Sequence, residues 1–178
     1  MFARFGREAR RVIELAEDHA RALWRPAVGP EHLLLALLAV DDSGAFVRGG
    51  LCFDDVRGRL LESASGEPAP SAPNGDPGHL PLRLRTVFRD AFREAAALGA
   101  REVTPLHLAL ALVDDPPGEI ALVLRRLDVK AEVVRDAILE ALLDVTAAEA
   151  AEPHKIIRLP RGDEQPVVET RTRARATR

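Results

Sequence analysis

Apolar residues recur three and four positions apart in two stretches of the chain, residues 5–23 and residues 84–98. This spacing places apolar side chains on one face of an α-helix, and it predicts two amphipathic helices that pack against a core. The apolar positions are Phe5, Ala9, Val12, Ile13, Ala16, Ala20 and Leu23 in the first stretch, and Leu84, Val87, Phe88, Ala91, Ala95 and Leu98 in the second.

Each amphipathic stretch is followed by a run that is apolar on nearly all sides. The two runs are VGPEHLLLALL, residues 28–38, and VTPLHLALALV, residues 103–113. Pro30 and Pro105 suit the first position of a helix, and Gly29 and Thr104 are candidate N-cap residues. We therefore predict that each run forms a buried helix at the centre of a small helical unit.

The two halves of the chain are copies of each other. His32 and His107 lie 75 residues apart (107 − 32), and the same offset relates Val12 to Val87. Such an internal duplication indicates a repeat architecture. With two further helices after each buried helix, the pattern predicts an all-α fold of two tandem four-helix repeats.

Breaks in the pattern divide the chain into four segments. They are a first repeat at residues 1–63, a Pro/Gly/Ser-rich linker at 64–79, a second repeat at 80–145 and a disordered Arg-rich tail at 146–178. Both repeats are expected to pack as one domain.

The first repeat is shorter than the second near its third helix. Gly44 to Val56 spans 12 residues (56 − 44), whereas Gly118 to Val134 spans 16 (134 − 118). Four residues are about one α-helical turn. We therefore expect the third helix of the first repeat to be shortened or irregular.

Composition narrows the class of protein. The chain has 178 residues, of which 47% are hydrophobic and only 4% aromatic, which favours packed helices over a sheet. The net charge of −3 is too small to imply a nucleic-acid or membrane partner for the whole molecule. The single cysteine, Cys52, cannot form an intrachain disulfide, and the absence of a signal-like or membrane-spanning apolar segment predicts a cytoplasmic protein.

Candidate reactive side chains are few. His32 and His107 lack metal-ligand spacing and are expected to be buried histidines that form hydrogen bonds near their helix starts. Cys52, between Leu51 and Phe53, is expected to be a packed thiol. There is no Gly-x-Ser-x-Gly hydrolase motif. We therefore predict a protein without a catalytic residue, a metal or a cofactor.

Several segments carry a resemblance to a known family. They are MFARF at residues 1–5, ARRV at 9–12, GPEHLLL at 29–35, GHLP at 78–81 and LG at 98–99. With these segments the chain resembles the N-terminal domain of Clp unfoldases of the ClpC type, over about residues 1–143. The resemblance implies two four-helix repeats related by pseudo-twofold symmetry. It also implies a docking module that receives substrates and adaptor proteins for an ATP-driven unfoldase ring.

The ATP-binding motif of that ring is missing from these residues. A phosphate-binding P-loop requires a Gly-Lys-Ser/Thr sequence. The only lysines, Lys130 and Lys155, follow Val129 and His154. We therefore expect a free-standing module, or a paralogue without its motor, which can act as a decoy or regulator of a full-length ClpC.

The resemblance also implies ligand-binding residues. In ClpC-type domains a glutamate at each buried helix start helps to bind phosphoarginine, and Glu31 matches that position in the first repeat. Pro30 replaces the usual threonine, and Leu106 occupies the second position, so the second site is expected to be lost. The alternative is that Glu31 merely interacts favourably with the helix dipole.

The same family binds cyclic peptide antibiotics in a groove that uses a phenylalanine at position 2 and an aromatic residue after the linker proline. Phe2 is present, but Leu82 occupies the aromatic position. The alternative is that Phe2 packs on the first helix.

The sequence leaves a second function possible. The chain can be a helical regulator that binds DNA through its Arg-rich tail, although we expect a nucleic-acid partner less than a protein partner.

Overall fold

The structure, a computed structural model, describes residues 4–23, 25, 27–64 and 82–151. Over these residues it forms helices joined by short connections, which confirms the predicted all-α fold. The helices are α1 (Arg7–Ala22), α2 (Pro30–Ala39), α3 (Ala45–Arg48), α4 (Phe53–Ala64), α5 (Leu82–Ala97), α6 (Pro105–Asp114), α7 (Gly118–Arg126) and α8 (Ala131–Ala151).

Two pairs of equivalent helices confirm the duplication. Helices α1 and α5 each have 16 residues and begin 75 residues apart (82 − 7). Helices α2 and α6 each have 10 residues and begin at Pro30 and Pro105, also 75 apart (105 − 30). The abridged segment behaves as predicted, because α3 has 4 residues whereas α7 has 9.

Helices α2 and α6 lie at the centre of the fold. Helix α2 packs against α1, α4, α5, α6 and α7, and α6 packs against α1, α2, α5 and α8. Their leucines are almost completely buried, as at Leu34 and Leu108, where the exposed fraction is 0%. Burying one such side chain contributes about 1.5–3 kcal/mol. One continuous cluster of buried side chains therefore extends through both repeats.

The start of the first repeat is tied to the second repeat. Phe5 was expected on the first helix, but it precedes α1 and forms an isolated parallel bridge with Val103. The Gly6 N–H donates to the Val103 carbonyl at 3.0 Å, and the Val103 N–H donates to the Arg4 carbonyl at 2.8 Å. The rings of Phe5 and Phe88 meet edge to face, with centroids 5.6 Å apart. The backbone at Gly6 is extended, so the helix cannot begin earlier.

Gly49 allows α3 and α8 to approach closely. A Cβ atom at this position would lie 2.8 Å from the Cα of Val134, which is a backbone atom and cannot move aside alone. The absent side chain therefore fixes the contact between the two helices, one from each repeat.

Two sequence predictions need correction. Cys52 is exposed rather than packed, because it lies in the connection before α4 while the neighbouring Leu51 is fully buried. Helix α8 continues to Ala151, past the predicted boundary at residue 145. The added residues are mostly alanine and glutamate, which favour helix. The linker from residue 65 and the tail from residue 152 lie outside the described residues, and the four segment boundaries otherwise stay predictions.

No helix in the described part of the chain is both long enough and apolar enough to cross a membrane.

Candidate functional site

The candidate site lies at the start of α2. Gly29 precedes this helix in extended conformation, Pro30 is its buried first residue and Glu31 is its second. This order confirms the predicted N-cap and first helical positions. Because proline has no N–H, the Glu31 amide is the first backbone donor of the helix. The start of α2 thus combines the partial positive charge of a helix N-terminus with a carboxylate.

The Glu31 carboxylate folds back over its own helix start. It lies so close to the Gly29 Cα that a methyl group there would collide with both carboxylate oxygens. It also accepts a hydrogen bond from its own backbone N–H. The carboxylate therefore occupies the position that an external anion would take at this helix end.

Burial raises the pKa of Glu31 above its ordinary value. The hydrogen bond from its own backbone N–H lowers this pKa, the charge of Glu119 raises it, and the charges of Arg25 and Arg83 lower it. These three charged side chains therefore lie close enough to interact with the carboxylate. The side chain of Glu31 is 23% exposed, so a ligand can still reach it.

Arg83 and Glu119 form an ion pair beside this carboxylate. Nη1 of Arg83 donates to Oε1 and Oε2 of Glu119 at 2.5 and 2.6 Å. Both side chains come from the second repeat, at the starts of α5 and α7. The site is therefore composite, because helix α2 of the first repeat packs against both of those helices.

His32 is a buried, neutral histidine. Its side chain is 1% exposed, and Nδ1 accepts a hydrogen bond from the Gly29 N–H at 2.9 Å. An accepting Nδ1 puts the ring proton on Nε2. Burial, with smaller effects of Arg25 and His19, lowers the pKa of His32 to about 4. The 3.3 Å contact between Nδ1 and Glu31 Oε1 is therefore not an ion pair at neutral pH.

The equivalent helix start in the second repeat has the same framework and different chemistry. The Thr104 N–H and hydroxyl lie 3.2 and 2.7 Å from His107 Nδ1, which accepts from both. Burial lowers the pKa of His107. Leu106, in the position of Glu31, is half-buried and packs against the core. This start can bind neither guanidinium nor any other cation through its second residue.

The hydrogen bonds confirm the predicted role of both histidines. Each imidazole uses Nδ1 to accept a backbone N–H at its own helix start. Nε2 of His32 is buried and has no hydrogen-bond partner within the described ranges. Those ranges also contain no group of three or more His, Cys, Asp or Glu side chains that could hold a metal ion.

The predicted site residues that the structure describes lie at the starts of three helices. Glu31 and Pro30 lie at the start of α2, and Leu106 at the start of α6. Leu82 is the first residue of α5 and is 75% exposed. Phe2 lies outside the described residues. The sequence reasoning missed Arg83 and Glu119, whose proximity to Glu31 depends on how α2 packs against α5 and α7.

Comparison with known proteins identifies relatives of this chain. The family described as "Clp repeat (R) N-terminal domain" matches residues 3–48 and 80–161. The chloroplastic chaperone protein ClpD1 of Oryza sativa subsp. japonica is 32% identical over 125 residues, which are 65% of this chain and 13% of that protein. A probable ATP-dependent Clp protease ATP-binding subunit of Chlamydia pneumoniae is 32% identical over 145 residues, 80% of this chain and 17% of that protein.

Solved structures share the fold. The N-terminal domain of the chaperone ClpD from Arabidopsis thaliana superposes with a TM-score of 0.69 at 24% identity, covering 80% of this chain and 97% of that one. The Hsp104 N-terminal domain from Candida albicans superposes with a TM-score of 0.62 at 18% identity, covering 76% and 89%. The chain thus spans a small part of the length of its curated relatives and nearly all of a solved N-terminal domain.

Proposed function

Because this chain belongs to the family of Clp repeat (R) N-terminal domains, we propose that it is a non-catalytic docking module of the Clp proteolysis system. Its partners are substrate proteins, adaptor proteins or a Clp unfoldase itself. Helical faces and charged helix starts provide the binding surface. The histidines do not act as catalytic residues in this account, because both use Nδ1 within their own helix start.

The partly exposed carboxylate of Glu31 is the observation that carries the proposed ligand class. A carboxylate with a raised pKa is stabilised when a cation arrives, and a guanidinium matches its geometry with two parallel hydrogen bonds. Phosphoarginine in a substrate protein offers such a guanidinium, and its phosphoryl group suits the positive helix end once the carboxylate turns outward. Leu106 cannot supply an equivalent contact, so the proposed binding site is single.

Leu82 supports a separate proposal, an apolar groove for cyclic peptide ligands at the start of α5. A 75% exposed leucine at a helix start is available for such contact. The contribution of Phe2 stays a prediction, since that residue lies outside the described ranges.

Two further hypotheses stay predictions. A decoy or regulatory role toward a full-length ClpC would use the same docking surface. DNA binding depends on the Arg-rich residues 171–178, outside the described ranges, and the relatives named above are Clp proteins. The cytoplasmic location also stays a prediction.

Isothermal titration calorimetry with free phosphoarginine tests the ligand assignment. We expect Glu31→Gln to weaken binding at least about tenfold, or roughly 1.4 kcal/mol, since the amide cannot pair with a guanidinium. Glu8→Gln is the matched control, because Glu8 is the exposed second residue of α1. Equal affinity of Glu31→Gln and wild type, or no binding by wild type, would contradict the assignment.

A further inference from the structure

The outer face of α8 carries a row of carboxylates. The helix packs against α3 and α6 through buried side chains such as Val134 and Ile138. Four of its exposed acidic residues are spaced four positions apart, and residues at this spacing are neighbours on the surface of a helix. We call them the acidic row: Glu132, Asp136, Glu140 and Asp144.

The acidic row is unpaired within the described part of the chain. None of its four carboxylates forms an ion pair or a side-chain hydrogen bond with another described residue. Arg135 is the only basic residue of α8, and its Nε lies 2.9 Å from Oδ1 of Asp114 on α6. Like charges four residues apart repel each other and destabilise a helix. A segment that brings several cations to this face therefore relieves that repulsion.

Exposed apolar side chains flank the row. Val133 and Leu143 are 49% and 63% exposed. Val133 lies three positions before Asp136, and Leu143 lies three positions after Glu140, so both are neighbours of the row on the helix surface. An arginine side chain suits such a surface, because its methylene groups can cover apolar atoms while its guanidinium binds a carboxylate.

The chain itself contains a segment with matching charge and spacing. Residues 171–178 read RTRARATR, with four arginines and no acidic residue. Arg171, Arg173 and Arg175 alternate with small residues. In an extended segment, alternate side chains point to the same side and are about 6.6–6.8 Å apart. Four residues of an α-helix rise about 6 Å, so successive arginines can each meet one carboxylate of the row.

The connection between the two elements is long enough for this contact. Helix α8 ends at Ala151, and 19 residues (170 − 151) separate it from Arg171. They can span up to about 60 Å, whereas the way back along α8 from Ala151 to Glu132 is about 29 Å. A covalent connection of this length also gives the segment a high effective concentration at the row, which favours it over a second copy of the chain.

We propose that residues 171–178 bind the acidic row of α8 in the same chain, as an extended segment whose arginines pair with successive carboxylates. The contact covers the outer face of the last helix and holds these arginines away from other anions. A partner protein reaches this face only when the segment leaves it. Several weak, exposed ion pairs act together in this contact, so high salt should release the segment.

Paramagnetic relaxation in NMR spectra of the full chain tests the contact. Cys52, the single cysteine, is replaced by serine, and a nitroxide is attached at Thr177→Cys, which keeps all four arginines of the segment. The amide signals of residues 132–144 should weaken about twofold or more at low salt, and they should recover in about 1 M salt, where the screening length is about 3 Å. Unchanged signals at low salt would show that the segment does not bind there.

Neutral variants test the charges on each side. Replacing the acidic row by Glu132→Gln, Asp136→Asn, Glu140→Gln and Asp144→Asn should abolish the weakening, and so should glutamine at the four arginines of residues 171–178. The matched control neutralises four exposed carboxylates of α1, by Glu8→Gln, Glu14→Gln, Glu17→Gln and Asp18→Asn, and should keep the effect. Circular dichroism checks that each variant retains its helices. Weakening that survives loss of the acidic row would contradict the proposal.

A mixed sample distinguishes the chain's own segment from that of a second copy. Isotope-labelled protein without nitroxide is mixed with unlabelled protein that carries it. We expect no weakening of residues 132–144 in this sample, because the covalently connected segment occupies the row. Weakening equal to that within one chain would show that the occupant is a second copy, and the proposed contact within the chain would be wrong.

Discussion

The starts of α2 and α6 have the same framework and opposite surface chemistry. In both, a proline opens the helix, and a histidine two positions later accepts the backbone N–H of the residue before the proline. Between proline and histidine, the first repeat has Glu31 and the second has Leu106. Both histidines are buried, whereas the residue that differs between the repeats is partly exposed. The fold therefore constrains the interior of each start and leaves one position free to determine binding.

The largest expected effect tests whether the two repeats share one core. Leu33→Ala and Leu108→Ala truncate equivalent side chains with exposed fractions of 1% and 0%. Each should lower the free energy of unfolding by about 2–5 kcal/mol through lost contacts and a cavity. Urea denaturation followed by circular dichroism should show one transition for both variants. Two separate transitions, with the unsubstituted repeat still folded in the first, would show that the repeats are independent.

The stability of the protein in acid depends on the buried histidine at the start of α2. Neutral His32 has a native pKa of about 4, below the value of about 6.5 in the unfolded chain, so the unfolded state binds more protons between these values. The contribution of His32 is therefore constant above about pH 6.5, and stability is lost as pH falls toward about 4. The loss amounts to up to about 3 kcal/mol.

The His32→Asn variant isolates this effect. The asparagine carbonyl can still accept from the Gly29 N–H but does not titrate, so its unfolding free energy should fall less steeply between pH 6.5 and 4. Because the pKa of Glu31 is raised in the folded state, Glu31 increases the free energy of unfolding as pH falls. This effect is present in both wild type and His32→Asn. Parallel pH profiles for wild type and His32→Asn would rule out His32 as the titrating group.

The close contact between α3 and α8 depends on the absence of a side chain at Gly49, and two glycine substitutions test it. Gly49→Ala should lower the free energy of unfolding by about 1–3 kcal/mol, because its Cβ would collide with the backbone of Val134. Gly58→Ala is the contrasting variant: nothing lies within 4 Å of its Cβ, and alanine favours helix α4 by about 0.5–1 kcal/mol. Thermal unfolding should move in opposite directions for the two variants. A neutral Gly49→Ala would mean that α3 does not touch α8 so closely.

The smallest expected effect concerns the ion pairs. Arg83→Gln should change the free energy of unfolding by less than about 1 kcal/mol, because the pair with Glu119 is 62% and 46% exposed. Arg135→Gln, which removes a similarly exposed pair with Asp114, should behave alike. Thermal unfolding of both variants compares them directly. A much larger loss for Arg83→Gln would assign that side chain a structural role.

Periodicity along the chain was sufficient to predict the helices and their pairing, because α1, α2, α5 and α6 have continuous apolar faces and clear start signals. It was also sufficient for the shortened α3, which follows from a difference in length. It failed at Phe5 and Cys52, since a residue's burial outside a helix depends on the path of the chain. Periodicity could not predict that Arg83 and Glu119 lie near Glu31. These positions are 52 and 88 residues away along the chain (83 − 31 and 119 − 31), and they come close only because the helices pack together.

The number of phosphoarginine molecules bound per chain tests the central claim most directly. Titration calorimetry of the wild-type protein should give one site. Glu31→Gln should weaken this site at least about tenfold, and Leu106→Ala should leave it unchanged. Two equivalent sites would show that the start of α6 also binds the ligand. A single site that survives Glu31→Gln and disappears with Leu106→Ala would show that the start of α6 binds instead of α2. Either result would contradict the proposed single site at Glu31.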